Sequence, residues 1–448
     1  MSHNLAPTLP QELCDMVIDQ LSSLRKRRGA LTRCCLVSKA WLHRARPYAF
    51  RRAKVITRKA DRATDESPGP SLRGFAAFLA SASGATVRAS IMVFTIYGEY
   101  NAPPGRGVSL LSLASTLALL PCLDTLALKG ARIVGLIDWR HVMPSFKTLT
   151  FEDFAKVEGP DTFLRLISLS LRLESVDIPR SAKVFGRCDF GGDCAWPTWS
   201  PPKCTSLRNL TIHNVDILDI FARETIFKIQ QDTLTSISLE VPVTAWSMRD
   251  DMQSPRELIS HAALSLEHLS LWLHSSSDDD TGTPYPGLGL AACSSLVTLE
   301  LELSFTSVCL QAFVCGLLDE LFGRAPEHAC KLRRIILWAY QAEDLAGIDT
   351  ALDAHISGET PVRVGLARGS MRAQAGMSPQ DRNAFIQAMP RLGARGLLYV
   401  YADEDKSPGA SLGACAREDE EDVDDESLEE TDGDRQENTD NEERKLDD

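Results

Sequence analysis

Between residues 84 and 402 one short spacing of apolar positions returns eight times: apolar, two residues, apolar, one residue, apolar. It falls at Leu123/Leu126/Leu128, Phe146/Leu149/Phe151, Leu173/Val176/Ile178 and Leu207/Leu210/Ile212. It returns at Leu234/Ile237/Leu239, Leu266/Leu269/Leu271, Leu296/Leu299/Leu301 and Leu332/Ile335/Leu337. Successive starts lie 23, 27, 34, 27, 32, 30 and 36 residues apart. The last two apolar positions of each triplet are two residues apart, so an extended chain turns both to one face. Each triplet therefore predicts a short strand, with flanking strands expected at 87–96 and 396–401. Helical periodicity occupies several intervals, at 162–171, 218–230, 310–322 and 344–356. One strand plus one helix per unit is a repeat architecture, in which a unit buries its apolar edge only against its neighbours.

The first fifty residues follow a different period. Pro10 stands where a helix can begin, because the first turn has no use for the missing amide. Leu13, Val17, Ile18 and Leu21 then recur at helical spacing, with Asp15, Asp19 and Gln20 on the other side. The basic run Arg25-Lys26-Arg27-Arg28-Gly29 breaks the pattern. A second stripe follows through Leu31, Cys34, Cys35 and Val37, and a third through Trp41, Ala45 and Tyr48. Three such helices bury too little surface to be secure alone, so the module is expected to lean on another chain or on the rest of this one.

Leu9-Pro10-x-Glu12-Leu13, Ile18, Leu21 and Leu36-Val37-Ser38-x-x-Trp41 resemble an F-box of the kind common in fungal proteins. The four consecutive basic residues from Arg25 depart from the mixed loop usual in that family. The resemblance implies docking on a Skp-type adaptor and, through it, on a cullin and a RING subunit. Leu9, Pro10, Glu12, Leu13, Ile18, Leu21, Leu36, Val37 and Trp41 are the adaptor-binding positions it implies. The repeat array is similar to leucine-rich repeats with long units, although the Asn or Cys that usually follows the last leucine is missing from most of them. The same patterning also fits a parallel α/β sheet with crossover helices. The expected fold class is thus α/β: a three-helix F-box at 1–58, a linker at 59–71, an irregular leucine-rich-repeat-like domain at 72–402 and a disordered acidic tail at 403–448.

Charge sharpens this division. Residues 403–448 hold 21 acidic and 5 basic side chains, a net of −16, against −13 for the whole chain, so the other 402 residues carry +3. Residues 1–60 hold 13 basic and 3 acidic side chains, a net of +10. A segment so acidic and poor in aromatics cannot offset its ordering entropy. The absence of a broadly basic face argues against a dedicated nucleic-acid protein. No secretory pattern opens the chain, and no uninterrupted apolar run is long enough to span a bilayer. An intracellular chain, cytoplasmic or nuclear and without a membrane anchor, is expected, its 12 cysteines reduced.

Signatures of catalysis do not assemble. Cys188, Cys194, Cys204 and His213 lack the paired spacing of a zinc site. Asp278-Asp279-Asp280 lacks the glycine and terminal glutamate of a calcium loop, and no phosphate loop or nucleophile elbow is present. Cys204 and Cys293 precede a first repeat position by three residues, and Cys122 and Cys330 lie just ahead of theirs, as buried thiols packing at strand entry would. Stretches 187–203 and 275–289, rich in Gly, Pro and Asp, read as solvated connecting loops. No enzyme and no cofactor is expected.

What remains is recognition. Residues alternating with the buried pair face away from the core and form a concave surface. His213, His268, Trp272, Glu300, Glu302, Arg334 and Trp338 are the candidate substrate-binding positions, the two tryptophans as anchors. The expected function is the substrate-recognition subunit of a Skp–cullin–F-box ubiquitin ligase, bringing a protein substrate to the adaptor. Two other readings stay open: an adaptor-bound scaffold without ligase turnover, and a factor that engages nucleic acid or basic proteins through Arg25–Arg28, Arg51-Arg52 and the acidic tail.

Overall fold

The computed structural model describes residues 10–23, 28–57, 72–98, 107–135, 144–185, 206–224, 233–243, 252–274, 285–303, 308–323, 331–339, 342–356, 362–368 and 379–400. The chain opens with helices α1 (Gln11–Ser23), α2 (Arg28–Val37) and α3 (Lys39–Ala49), then strand β1 (Arg52–Ile56). Next come α4 (Leu72–Ala80), α5 (Ala82–Arg88), β2 (Val93–Tyr97), β3 (Val108–Ser109), α6 (Leu110–Leu117), β4 (Thr125–Lys129) and β5 (Arg132–Val134). They are followed by β6 (Thr148–Glu152), β7 (Lys156–Glu158), α7 (Pro160–Ile167), β8 (Ser175–Ile178), β9 (Lys183–Phe185), β10 (Asn209–Ile212) and α8 (Val215–Glu224). The second half holds β11 (Ser236–Pro242), α9 (Gln253–Ala262), β12 (His268–His274), β13 (Thr298–Leu303), α10 (Val308–Phe322) and β14 (Arg334–Ala339). It closes with α11 (Ala346–His355), β15 (Arg363–Arg368), α12 (Pro379–Ala388), α13 (Pro390–Ala394) and β16 (Leu398–Val400).

Twelve strands form one wholly parallel sheet in the order β1-β2-β4-β6-β8-β10-β11-β12-β13-β14-β15-β16, so neighbours in sequence are neighbours in space. The protein is α/β. Every residue of the eight triplets is buried, and helix residues such as Leu113, Phe163, Phe221, Leu258, Leu317 and Leu352 share one continuous core with them. Corresponding positions align across the sheet: Ile237, Leu269, Leu299, Ile335 and Val364 form one row. The opposite face, here called the open face, carries the alternating residues.

A serine just ahead of the first triplet residue ties units together. Ser206 donates to the Leu173 carbonyl at 3.1 Å, and Ser265 donates to the Leu234 carbonyl at 2.8 Å. Each acceptor is the first triplet residue of the preceding unit. Ser295 similarly donates to the Leu264 carbonyl at 2.8 Å.

Some expectations need correction. The flanking strand at 87–96 is shorter, because Ser81 caps α5 by accepting from the Gly84 amide at 3.1 Å and carries Val87 into a helix; β2 begins at Val93. Helix α7 ends at Ile167 rather than 171, and α8 starts at Val215, where the Asn214 side chain accepts from the Ile217 amide at 3.0 Å. Strand β1 lies inside the 1–58 segment yet pairs with β2, so the sheet begins there. A second parallel sheet, β3-β5-β7-β9, follows the first strands of the array and was not anticipated. The turn from β4 into β5 needs Gly130, whose φ is +58°, packed where a Cβ on Gly98 would lie 2.4 Å from its carbonyl oxygen. The turn from β6 into β7 places Asp153 (φ 40°) and Phe154 (φ 59°) in the left-handed region instead.

Cys293 is buried as expected, but Cys122 is exposed, so the thiols at strand entry do not share one role. Cys188, Cys194, Cys204 and Cys330, the loop 187–203, the linker 59–71 and the acidic segment 403–448 lie outside the described residues. Of 275–289, the described end is docked rather than solvated. The Tyr285 ring meets Phe313 edge-on at 4.9 Å, its hydroxyl donates to Glu320 at 2.7 Å, and burial drives that phenol far above its ordinary pKa.

Leu269 is fully buried and His268, one residue away, is exposed. Leu269→Ala is expected to cost about 2–5 kcal/mol and His268→Ala less than about 0.5 kcal/mol, measured by denaturant unfolding of the full chain.

Candidate functional site

The head has its own small core. Ile18, Leu31, Cys34, Ala45 and Ala49 are buried together, with Leu21, Cys35, Trp41 and Tyr48 packed around them. This cluster is separate from the core beneath the sheet. The first turn of α1 is anchored by the Pro10 carbonyl, which accepts from Leu13 and Cys14 at 3.1 and 3.2 Å. Ser38 caps α3 by accepting from the Trp41 amide at 3.2 Å. Asp19 joins α1 to α3: it pairs with Arg44 and accepts from the Tyr48 hydroxyl at 3.0 Å. The hydrogen bonds from Arg44 and Tyr48 hold its carboxyl below the usual aspartate range despite some burial.

With that core filled, α1 still presents Leu13, Met16 and Val17 outward, 47%, 62% and 49% exposed, on a single i, i+3, i+4 stripe. At the carboxyl end of α2, Leu36 and Val37 are 83% and 63% exposed. The apolar positions of α1 thus divide between two faces, and the single stripe expected from Leu13, Val17, Ile18 and Leu21 is corrected. Among the sequence-derived adaptor positions, Pro10, Glu12, Leu13, Leu36 and Val37 are exposed. Ile18 is fully buried and Leu21 and Trp41 are half-buried supports, because they fill the small core of the head. Leu9 and Arg25–Arg27 lie outside the described residues. Met16 was overlooked, although its i+3 spacing from Leu13 was available in the sequence.

The second surface is on the open face of the sheet. His213 follows β10, and its Nε2 lies 3.0 Å from Ser238 Oγ on β11. The His213 ring meets Trp272 of β12 edge-on at 5.9 Å, His274 lies 6.2 Å from the same indole, and the Arg180 guanidinium is 5.7 Å from it. Beneath this platform sits Glu240, with only 3% of its side chain exposed, 3.3 Å from Arg180 Nε and 3.5 Å from His274 Nδ1. Burial, reinforced by Arg180, lowers the His274 pKa, so that ring is neutral at pH 7 and its approach to Glu240 is a polar contact rather than an ion pair. Carboxylate, guanidinium, two imidazoles and an indole therefore converge from β8's exit, β10, β11 and β12. Their chemistry suits recognition of a polar or aromatic side chain.

Of the expected substrate-binding positions, the structure brings His213 and Trp272 together. Glu300 and Arg334 are half-buried and His268 is exposed elsewhere on this face. Glu302 and Trp338 need correction: they are 3% and 6% exposed. Glu302 stands in register between Trp272 and Trp338, so side chains from both flanking strands crowd it. Arg180 and His274 were missed, yet His274 merely extends the alternation His268, Ser270, Trp272 by one step. Among the described residues no group of His, Cys, Asp and Glu is arranged to hold a metal, and no helix is long and apolar enough to cross a membrane.

No protein-family model matches the chain, and comparison with curated proteins gives no match.

Two outcomes follow. Arg180→Ala leaves the buried Glu240 carboxylate without its guanidinium, whereas Glu240→Gln leaves an arginine that water already reaches. The first is expected to cost about 2–3 kcal/mol and the second below about 1 kcal/mol, read from unfolding midpoints. A histidine with a depressed folded pKa binds its proton more readily when unfolded. Its share of stability is therefore complete above the unfolded value and lost as pH falls below it. Acidification from pH 7 to about pH 5 is expected to destabilise the sheet less in His274→Phe than in the native chain.

Proposed function

We propose that this chain is a non-enzymatic substrate-recognition subunit of a Skp–cullin–F-box ubiquitin ligase. The head is an F-box that docks on a Skp-type adaptor, and the repeat array is a leucine-rich-repeat-like solenoid that holds a protein substrate. The observation that carries this reading is the apolar surface left over on a head with so small a core. Leu13, Met16, Val17, Leu36 and Val37 stand exposed on a module whose buried core cluster is five residues. Exposed apolar side chains clustered on a small module mark a protein interface. The motif residues that do not face outward support this surface from within.

At the other end, the Arg180, His213, Glu240, Trp272 and His274 cluster offers a tryptophan anchor inside a polar rim, the composition that binding hot spots favour. The chain's contribution is proximity. Holding the substrate beside a charged conjugating enzyme raises its effective concentration there, while bond chemistry occurs on other subunits.

Leu36→Asp combined with Val37→Asp places charges on the most exposed part of the head without touching its core. Binding of a recombinant Skp-type adaptor is expected to weaken at least about tenfold, with the thermal unfolding profile unchanged. Trp272→Ala is expected to leave adaptor binding as it was. Undiminished adaptor binding by the double variant would overturn the reading.

A further inference from the structure

Near the end of the array, the charge runs against the acidic excess of the chain. Strands β14 and β15 pair so that Arg334 stands directly opposite Arg363, and like charges in that relation repel. Arg333 precedes Arg334, and Lys331 lies two residues before that; Lys331, Arg333 and Arg363 are exposed and Arg334 is half-buried. The row on the open face reads His268, Thr298, Arg334, Arg363. Five arginines elsewhere are matched with acids: Arg44 with Asp19, Arg132 with Glu158, Arg180 with Glu240, and Arg391 and Arg395 with Asp353. Lys331, Arg333, Arg334 and Arg363 have no ion pair or side-chain hydrogen bond in the described structure. The carboxylates facing this region are Glu300, one row further along β13 in register with Ile336, and Glu267, just ahead of β12. Two arginines thus face each other across the strands, with Lys331 and Arg333 just ahead of them in the chain, and none of the four has a dedicated counter-charge.

The chain itself carries the complement. Val400 of β16 is in register with Leu366 of β15, three residues along that strand from Arg363. That separation is about 10 Å along the strand and about 5 Å across it. The acidic segment begins at Asp403, and its first dense run is Glu418-Asp419-Glu420-Glu421-Asp422. By the scaling of an unstructured chain, about fifteen to eighteen residues span about 20–25 Å, a length sufficient for this run to reach the cluster. Covalent attachment holds it there at about millimolar effective concentration, where individually weak carboxylate–guanidinium contacts suffice.

We propose that Lys331, Arg333, Arg334 and Arg363 form a docking site for the acidic segment 403–448 of the same chain. Its carboxylates seat across the Arg334–Arg363 pair and relieve the repulsion. This inference is independent of the adaptor and of any cargo.

The test is zero-length carbodiimide coupling on the full chain, followed by peptide mass spectrometry. The reagent joins a carboxylate to the Lys331 amine as an amide and takes up the released water as its urea. Amide links from Lys331 to Asp or Glu within 403–448 are expected to exceed those from the exposed Lys39, Lys147 and Lys183. They are expected to fall about fivefold or more between about 20 mM and about 0.5 M salt, as the screening length contracts. Arg334→Glu with Arg363→Glu is expected to abolish them without lowering the unfolding temperature. Should that variant fail to fold, Arg334→Gln with Arg363→Gln is expected to reduce them severalfold. Equal coupling to all four lysines overturns the proposal. So does coupling only between isotopically distinct copies, which would make a second molecule the occupant, or coupling unaffected by either arginine variant.

Discussion

The parallel ladder is the interaction on which the rest of this molecule depends. Each strand of three to seven residues satisfies its backbone only when the strands before and after it lie in register. The buried leucines enforce that register, since a slip of one residue would turn a whole row of core side chains to the open face. Hydroxyls such as those of Ser206 and Ser265 add a second tie between consecutive units at the strand entrances. Stability is thereby shared between neighbours, and only the terminal strands β1 and β16 have a single partner in the sheet.

This regularity at the backbone frees the open face to vary. Side chains in one row stand about 5 Å apart, whatever the length of the connection between their strands. Arg180 and His274, separated by more than ninety positions in sequence, therefore meet around Glu240. The same geometry forces Arg334 against Arg363. One row sets a buried carboxylate, paired with a guanidinium, beneath an indole, and another sets two arginines face to face. Both are products of register rather than of local composition.

The head obeys a different rule. Its helices close on a small core distinct from the one beneath the sheet, joined to the array through β1. Three helices of this length cannot hide all their apolar residues, so one face of α1 and the end of α2 remain outward. Exposed apolar side chains thus concentrate on the head, and polar and aromatic ones on the open face of the sheet.

The repeat triplets made the strands legible, because burial on one side of a strand is written in adjacent residues. Strand β15 escaped notice since Val362, Val364 and Leu366 follow a strict alternation instead of the triplet spacing, and β1 did because Ala53 stands where a larger apolar residue marks other units. The second sheet has strands of two or three residues, too short to carry any period. In the head, helical spacing located all three helices but could not divide Ile18 from Val17, since adjacent apolar positions look alike until a partner helix covers one of them. The sequence alone determined which segments extend, which coil and where apolar surface concentrates, since those depend on near neighbours. Only the tertiary structure decided that Trp338 is buried, that Glu240 takes Arg180 and that Arg334 confronts Arg363, because packing across strands joins residues 29 to 60 positions apart.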